Sequence, residues 1–196
     1  QKQVVTKAFE ELLGSDVTDR AINTGDLAPD FSLPSVHGGE RSLSAALAEG
    51  PVVLSFYRGS WCPFCNLELH ALQSRLPEIR AAGASLIAVS PEKPDSSLTH
   101  AQKLQLEFDV LSDEGNATAG AYSLVMEVAS QLRPLYIEWG IDVPTANGDP
   151  SYRLPVPATY VIGSDGRVCA CHVEKDYTQR MEPQAIIEAL AQFRAA

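Results

Sequence analysis

The sequence predicts an α/β fold, a parallel or mixed central sheet covered by helices, and three observations predict it. Short apolar runs at residues 51–57, 84–90 and 157–163 have the length and the β-branched and aromatic content of buried strands. Between the first two, Cys65, Leu69, Leu72, Leu76 and Ile79 recur at spacings of four and three, which is one face of a helix against a core. The links are short, and strands alternating with helices through short links build such a layered sheet. A chain of 196 residues with 45% hydrophobic content is enough for one sizeable core and too short to expect two independent ones.

In order along the chain, residues 2–13 place Val4, Val5, Ala8, Phe9, Leu12 and Leu13 at helical spacing, and Gly14 ends the pattern. This helix is expected to pack on the main domain or on a partner subunit. Residues 25–34 read as a Pro-punctuated strand, with a turn at His37-Gly38-Gly39 and a short helix near 43–47. The helix after the first buried strand should kink at Pro77 and end at Gly83. Pro91 and Pro94 flank a turn before a helix at 97–106, and 108–113 is a strand. Residues 123–155 are less regular, with a helix at 132–139 and a loop at 147–150. That length suits a cover over a site, a dimer contact or a surface insertion. Two strands joined at Ser164-Asp165-Gly166 form a hairpin over 157–173. A helix at 182–195 closes the chain, with Pro183 in its first turn and Ile186, Ile187, Leu190 and Phe193 facing inward. No internal repeat or low-complexity tract interrupts this organisation.

Chemistry concentrates where the strand 51–57 hands over to the long helix, through Arg58-Gly59-Ser60-Trp61-Cys62-Pro63-Phe64-Cys65. The first turn of a helix has unpaired N–H groups and the positive end of the helix dipole, so a thiolate there is stabilised. Pro63 suits the helix start because it has no N–H to lose. Cys62 is the expected attacking sulfur. Cys65, one turn on, can close a disulfide with it, and Arg58 can add positive charge. Half of a zinc site, or two unreactive core thiols, are the other readings of this spacing.

The formal net charge is −10 and no two Lys/Arg residues are adjacent, which argues against nucleic acid or anionic membrane as partner. No apolar run approaches the roughly 18 residues of a membrane span. Four cysteines are too few for a disulfide-rich secreted scaffold, so cytoplasm is the expected compartment.

Several segments together resemble one family. They are residues 25–31 (Gly-Asp-Leu-Ala-Pro-Asp-Phe), 53–65 with the two cysteines, Leu111-Ser112-Asp113, and 156–162 followed by Asp165-Gly166. Over residues 24–195 the chain is similar to the alkyl hydroperoxide reductase/thiol-specific antioxidant family, the peroxiredoxins and their relatives in the thioredoxin-fold superfamily, and most to a Cys-x-x-Cys subgroup. The resemblance implies a thioredoxin-like domain at 24–196, with residues 1–23 as a helical extension. It implies a thiol peroxidase for hydrogen peroxide or organic hydroperoxides, recycled by thioredoxin or a similar dithiol, without cofactor or metal. A homodimer is a further expectation. It also implies a cis-proline facing the cysteines, which here is Pro157 after Val156.

The chain departs from the family pattern in ways that bear on chemistry. Aligned on Cys62, the usual proline and threonine positions hold Ser55 and Gly59, and Ser60 offers a hydroxyl one residue off. The position of the usual arginine holds Pro157, leaving Arg58 as the nearby cation. Cys65 stands where a glutamate is often found, and no acidic residue lies between Val52 and Trp61. Trp61 is expected as a lid and a contact for a redox partner, or as plain packing. Two other readings of the whole stay open: a thiol-disulfide oxidoreductase, and a non-enzymatic module binding a partner or metal. Cys169 and Cys171, two apart on a strand, should share one face as core or incidental thiols, and a zinc site would need them to converge with Cys62 and Cys65. His37, His70 and His100 are expected at the surface, and His172 as a strand surface residue.

Overall fold

The computed structural model describes residues 1–193, apart from the side chains of Ser96, Leu98, His100 and Phe193. The placements expected for His100 and Phe193 lie outside the described residues. The helices and strands run α1 (Lys2–Leu13), β1 (Ser32–Pro34), β2 (Glu40–Ser42), α2 (Leu43–Glu49), β3 (Val52–Phe56), α3 (Pro63–Ala81), β4 (Ser85–Ser90), α4 (Pro94–Leu104) and β5 (Asp109–Ser112). There follow α5 (Ala117–Ala121), β6 (Val125–Glu127), α6 (Arg133–Glu138), α7 (Val143–Asn147), β7 (Arg153–Pro155), β8 (Ala158–Ile162), β9 (Val168–Val173) and α8 (Pro183–Phe193).

The central sheet has the order β5-β4-β3-β8-β9. Its β3/β4 and β4/β5 pairs are parallel, and β3/β8 and β8/β9 antiparallel. β3 is the middle strand and is buried along its whole length, as its unbroken apolar sequence requires. Alternate residues serve two cores. Val53, Ala88 and Val161 face α3 and α8, with Leu69, Leu72, Leu76, Ile79, Ile186 and Leu190. Leu54, Phe56, Ile87 and Tyr160 face Phe31, Leu43 and Tyr122 on the other side. The helical stripe expected for α3 is buried as expected. No helix among the described residues is long and apolar enough to cross a membrane.

Two placements differ. α4 starts at Pro94, three residues before the expected start, because proline fits the first helical position. Cys169 and Cys171 do not share a face. Ile162 pairs with Val168 while Val161 pairs with Ala170, so Cys169 is the extra residue of a β-bulge. Val168 and Cys171 consequently both pack on the Tyr160 side. Cys62 and Cys65 pack in the opposite core, so the two cysteine pairs do not converge on a common metal site.

Residues 123–155 fold into short pieces around a third small cluster of Val128, Tyr136, Val143 and Leu154, against which Trp61 packs. β6 and β7 form a two-stranded antiparallel ribbon there. α1 packs within the chain: Gln131 Nε2 donates to Glu11 Oε2 at 3.0 Å, and Lys175 reaches the Leu13 carbonyl and Asp19 beyond the other end.

Candidate active site

β3 delivers the chain to the site. The Tyr57 N–H still donates to the Val89 carbonyl, at 3.0 Å, and the backbone then turns through Gly59 to the N-terminus of α3. Gly59 has φ +150°, and a Cβ there would lie 2.5 Å from Trp61 Nε1 and 3.1 Å from Glu92 Cδ. Only glycine fits this turn. The turn is held from outside by Glu92, buried in the bend between β4 and α4, whose carboxylate accepts from the Ser60 N–H at 2.9 Å and hydroxyl at 2.8 Å. Asn66 Nδ2 adds a bond to the Ser60 carbonyl at 3.0 Å.

Cys62 caps α3 from an extended backbone, with Pro63 in the first turn. Its sulfur accepts from the Cys65 thiol at 2.6 Å, the Cys65 N–H at 3.4 Å and Arg58 Nη2 at 3.5 Å. The Cys65 thiol, followed by the Arg58 charge and the Cys65 N–H, pulls Cys62 down to about 5 against the opposing effect of burial. Cys65 moves the other way. Burial pushes its thiol up, and the negative Cys62 beside it adds to this. The pair is therefore poised as one thiolate and one thiol. A thiolate is the nucleophilic form, and a thiol in contact with it is the resolving partner.

Arg58 is itself buried, stacked 4.1 Å over the Tyr177 ring and 5.2 Å over Trp61. Tyr177 packs edge-on against Phe9 of α1 and Phe64 of α3, and Trp61 against Tyr136 of α6. Outside this stack lies a cleft of about 960 Å³. Arg58, Trp61, Phe64 and Tyr177 form its floor, with walls from α1 (Phe9, Leu12) and the 123–141 segment (Val128, Leu132, Tyr136). Cys62 is fully buried behind Arg58.

The expected residues divide accordingly. Cys62, Cys65 and Arg58 come together, and Trp61 lies beside them, half in the core and half on the cleft. Ser60 does not offer its hydroxyl to the sulfur, because that hydroxyl donates to Glu92. The Val156–Pro157 bond is trans, which corrects the expected cis bond. The Val156 N–H donates to the Leu124 carbonyl at 2.7 Å and Pro157 leads straight into β8, so the chain passes extended and has no tight turn of the kind cis-proline serves. Neither residue lines the cleft.

Three contributors were not evident in the sequence. Glu68 is buried on α3, one turn beyond Cys65, and accepts from Arg180 Nε at 2.7 Å and the Thr159 hydroxyl at 3.1 Å. Burial pushes its carboxyl up, and Arg180 and Thr159 pull against that without cancelling it. Arg180 Nη2 also reaches Cys65 Sγ at 3.7 Å. Glu92 is the turn's anchor. Glu68 left one signal, an acid on the apolar stripe of α3. Arg180 lies in an aperiodic stretch and left none.

A family model described as AhpC/TSA matches residues 24–170. The chain belongs to the AhpC/TSA family. This AhpC/TSA chain is 29% identical over 167 residues to the chloroplastic peroxiredoxin Q of Populus jackii, a match covering 85% of this chain and 65% of that protein. It is 32% identical over 93 residues to peroxiredoxin Bcp of Escherichia coli K12, covering 47% and 59% of the two. Among solved structures it is similar to peroxidoxin BcpB from Mycobacterium tuberculosis, with a TM-score of 0.69, 25% identity, and 89% and 97% of the two chains covered. The mixed sheet flanked by helices is thus the thioredoxin-like architecture of this family, with α1 added at the N-terminus.

Proposed function

We propose that this chain is a thiol-dependent peroxidase that reduces hydrogen peroxide or organic hydroperoxides through Cys62 and Cys65. The observation that carries the reading is the poised sulfur pair, a Cys62 thiolate held by Arg58 with the Cys65 thiol in contact. Family membership supports the same chemistry. The thiolate attacks the O–O bond. One S–O bond forms, the O–O bond breaks, and the alcohol or water leaves with a proton. Cys65 then attacks the sulfenic acid on Cys62, forming the S–S bond and releasing water. Thioredoxin or a similar dithiol reduces the disulfide. Phe64 and Leu67, exposed on α3 beside the cysteines, give such a protein an apolar surface to meet. The apolar walls of the cleft favour hydroperoxides with an organic body. A cytoplasmic homodimer belongs to the same proposal, and the reading uses no cofactor.

One observation favours the second reading, a thiol-disulfide oxidoreductase. The threonine position holds Gly59 and the Ser60 hydroxyl is committed to Glu92, so neither supplies the hydroxyl that the family pattern places before the cysteine. Stopped-flow oxidation of the reduced protein, followed by Trp fluorescence with thiol counting, separates the two. A peroxidase consumes two thiols rapidly, faster with an organic hydroperoxide, and loses the reaction in Cys62→Ser. Oxidation no faster than that of a free thiol, beside rapid exchange with a disulfide, makes the second reading the correct one.

A further inference from the structure

We propose that Arg180 is a second catalytic arginine, serving the resolving step at Cys65 as Arg58 serves the attacking step at Cys62, and that Glu68 is the positioning residue that aims it. The inference rests on Cys65 resolving a modified Cys62, which both functional readings share.

Each guanidinium has a different sulfur within reach, although the Arg58 charge acts on both. Arg58 Nη2 lies 3.5 Å from Cys62, and Arg180 Nη2 lies 3.7 Å from Cys65. The two arginines come from opposite sides, Arg58 from the end of β3 and Arg180 from the link between β9 and α8. The rest of the Arg180 fork is committed. Its Nε donates to Glu68 at 2.7 Å, and its Nη1 to the Gln179 carbonyl at 2.8 Å and to the Tyr177 carbonyl. The Thr159 hydroxyl of β8 fixes the second Glu68 oxygen. Only Nη2 is left to face the sulfur. A guanidinium fork held at three points is directional in a way that a lysine ammonium is not.

Burial gives this arrangement no obvious stabilising purpose. The Arg180 and Glu68 side chains are 14% and 5% exposed, and ion pairs that deep recover their desolvation cost poorly. The chemistry supplies a purpose. In the reduced protein the Cys65 thiol donates to the Cys62 thiolate. Once Cys62 has reacted it carries no charge, and Cys65 must become the nucleophile. A buried sulfur resists ionising; Arg58 pulls Cys65 down but is shared with Cys62, and a second charge on the Cys65 side adds to it. Arg180 sits there. The step balances as Cys65–SH plus Cys62–SOH giving the disulfide and water.

The step can be watched without peroxide. In a Cys169→Ser/Cys171→Ser background, dithiobis(nitrobenzoate) reacts with Cys62 and releases one thionitrobenzoate. Cys65 then displaces the second from the mixed disulfide, its proton passing to buffer. Removing a positive charge beside a thiolate shifts its pKa by about 1–3 units. Because nucleophilicity rises with pKa at a Brønsted slope of about 0.4–0.5, the second release should slow about 4- to 40-fold in Arg180→Met. The first release should stay within about twofold. Arg180→Lys should recover part of the rate, and Glu68→Gln should slow the second release alone.

Equal slowing of both releases, or an unchanged second release in Arg180→Met, overturns the proposal. Should Arg180→Met fail to fold by circular dichroism, Glu68→Gln decides, and a second release at the wild-type rate overturns the proposal. A protein inert to peroxide whose second release is still slowed by Arg180→Met sinks the peroxidase reading and keeps this one. Rapid peroxide reduction with an unchanged second release does the reverse.

Discussion

Arg58→Met removes the guanidinium that touches the attacking sulfur while keeping an unbranched side chain to fill the space between Tyr177 and Trp61. The charge sits 3.5 Å from Cys62 Sγ, where two point charges would interact by about 5 kcal/mol at an effective dielectric near 20. Delocalisation over the guanidinium and local rearrangement reduce this, and about two pKa units is the middle of the range for one opposite charge at such distances. Cys62 should then titrate near 7 instead of about 5. At pH 5 the ionised fraction falls from about one half to about 1%, but the more basic thiolate is about eightfold more nucleophilic. The net effect at pH 5 is a reaction about sixfold slower. At pH 8 both proteins are almost fully ionised, and the variant becomes about sevenfold faster. The assay is the rate of the first thiopyridone release from dipyridyl disulfide between pH 4 and 9. The expected signature is a crossing of the two pH profiles. A midpoint that stays near 5 in the variant, or a uniform slowing at every pH, refutes the reasoning and gives the low pKa to the Cys65 thiol and the helix N-terminus.

Two further outcomes follow from the same geometry. The folded pKa of Cys62 lies below that of an unfolded thiol, so its contribution to stability is complete above the unfolded value and is lost as pH falls toward about 5. Relative to Cys62→Ser, the reduced protein should therefore lose about 2 kcal/mol between pH 7 and pH 5 in denaturant titrations, and a pH-independent difference would count against a thiolate in the folded state. Gly59→Ala places a Cβ against the Trp61 indole in the left-handed region and should cost about 1–3 kcal/mol with a change in Trp fluorescence. A variant as stable as the parent would show that the turn relaxes freely.

The elements that could be read from the sequence carry their own periodicity. The stripe on α3, the uninterrupted apolar run of β3 and the hairpin turn before β9 are local patterns, and each appears where its pattern placed it. The 123–155 segment resisted because its pieces are three to six residues long, and β6 finds its partner only in β7. Elements that short owe their stability to tertiary contacts, which no window of sequence contains. The site divides in the same way. Two cysteines three apart at a strand-helix junction are a local signal. The Arg180–Glu68 contact joins residues 112 apart, and the Ser60–Glu92 contact joins residues 32 apart. The Cys169 bulge changed a face assignment because strict alternation holds only until a residue is left unpaired.

Gly59 bears on what chemistry the turn can be made to carry. The family pattern that the sequence resembles has a threonine there, and the present backbone, with φ +150° and with Trp61 and Glu92 against the Cβ position, has no room for one. Restoring threonine alone meets the indole, and removing the indole alone strips packing from Arg58 without returning a hydroxyl. A hydroxyl in the family's position therefore needs the turn, the indole and the Glu92 anchor rebuilt together.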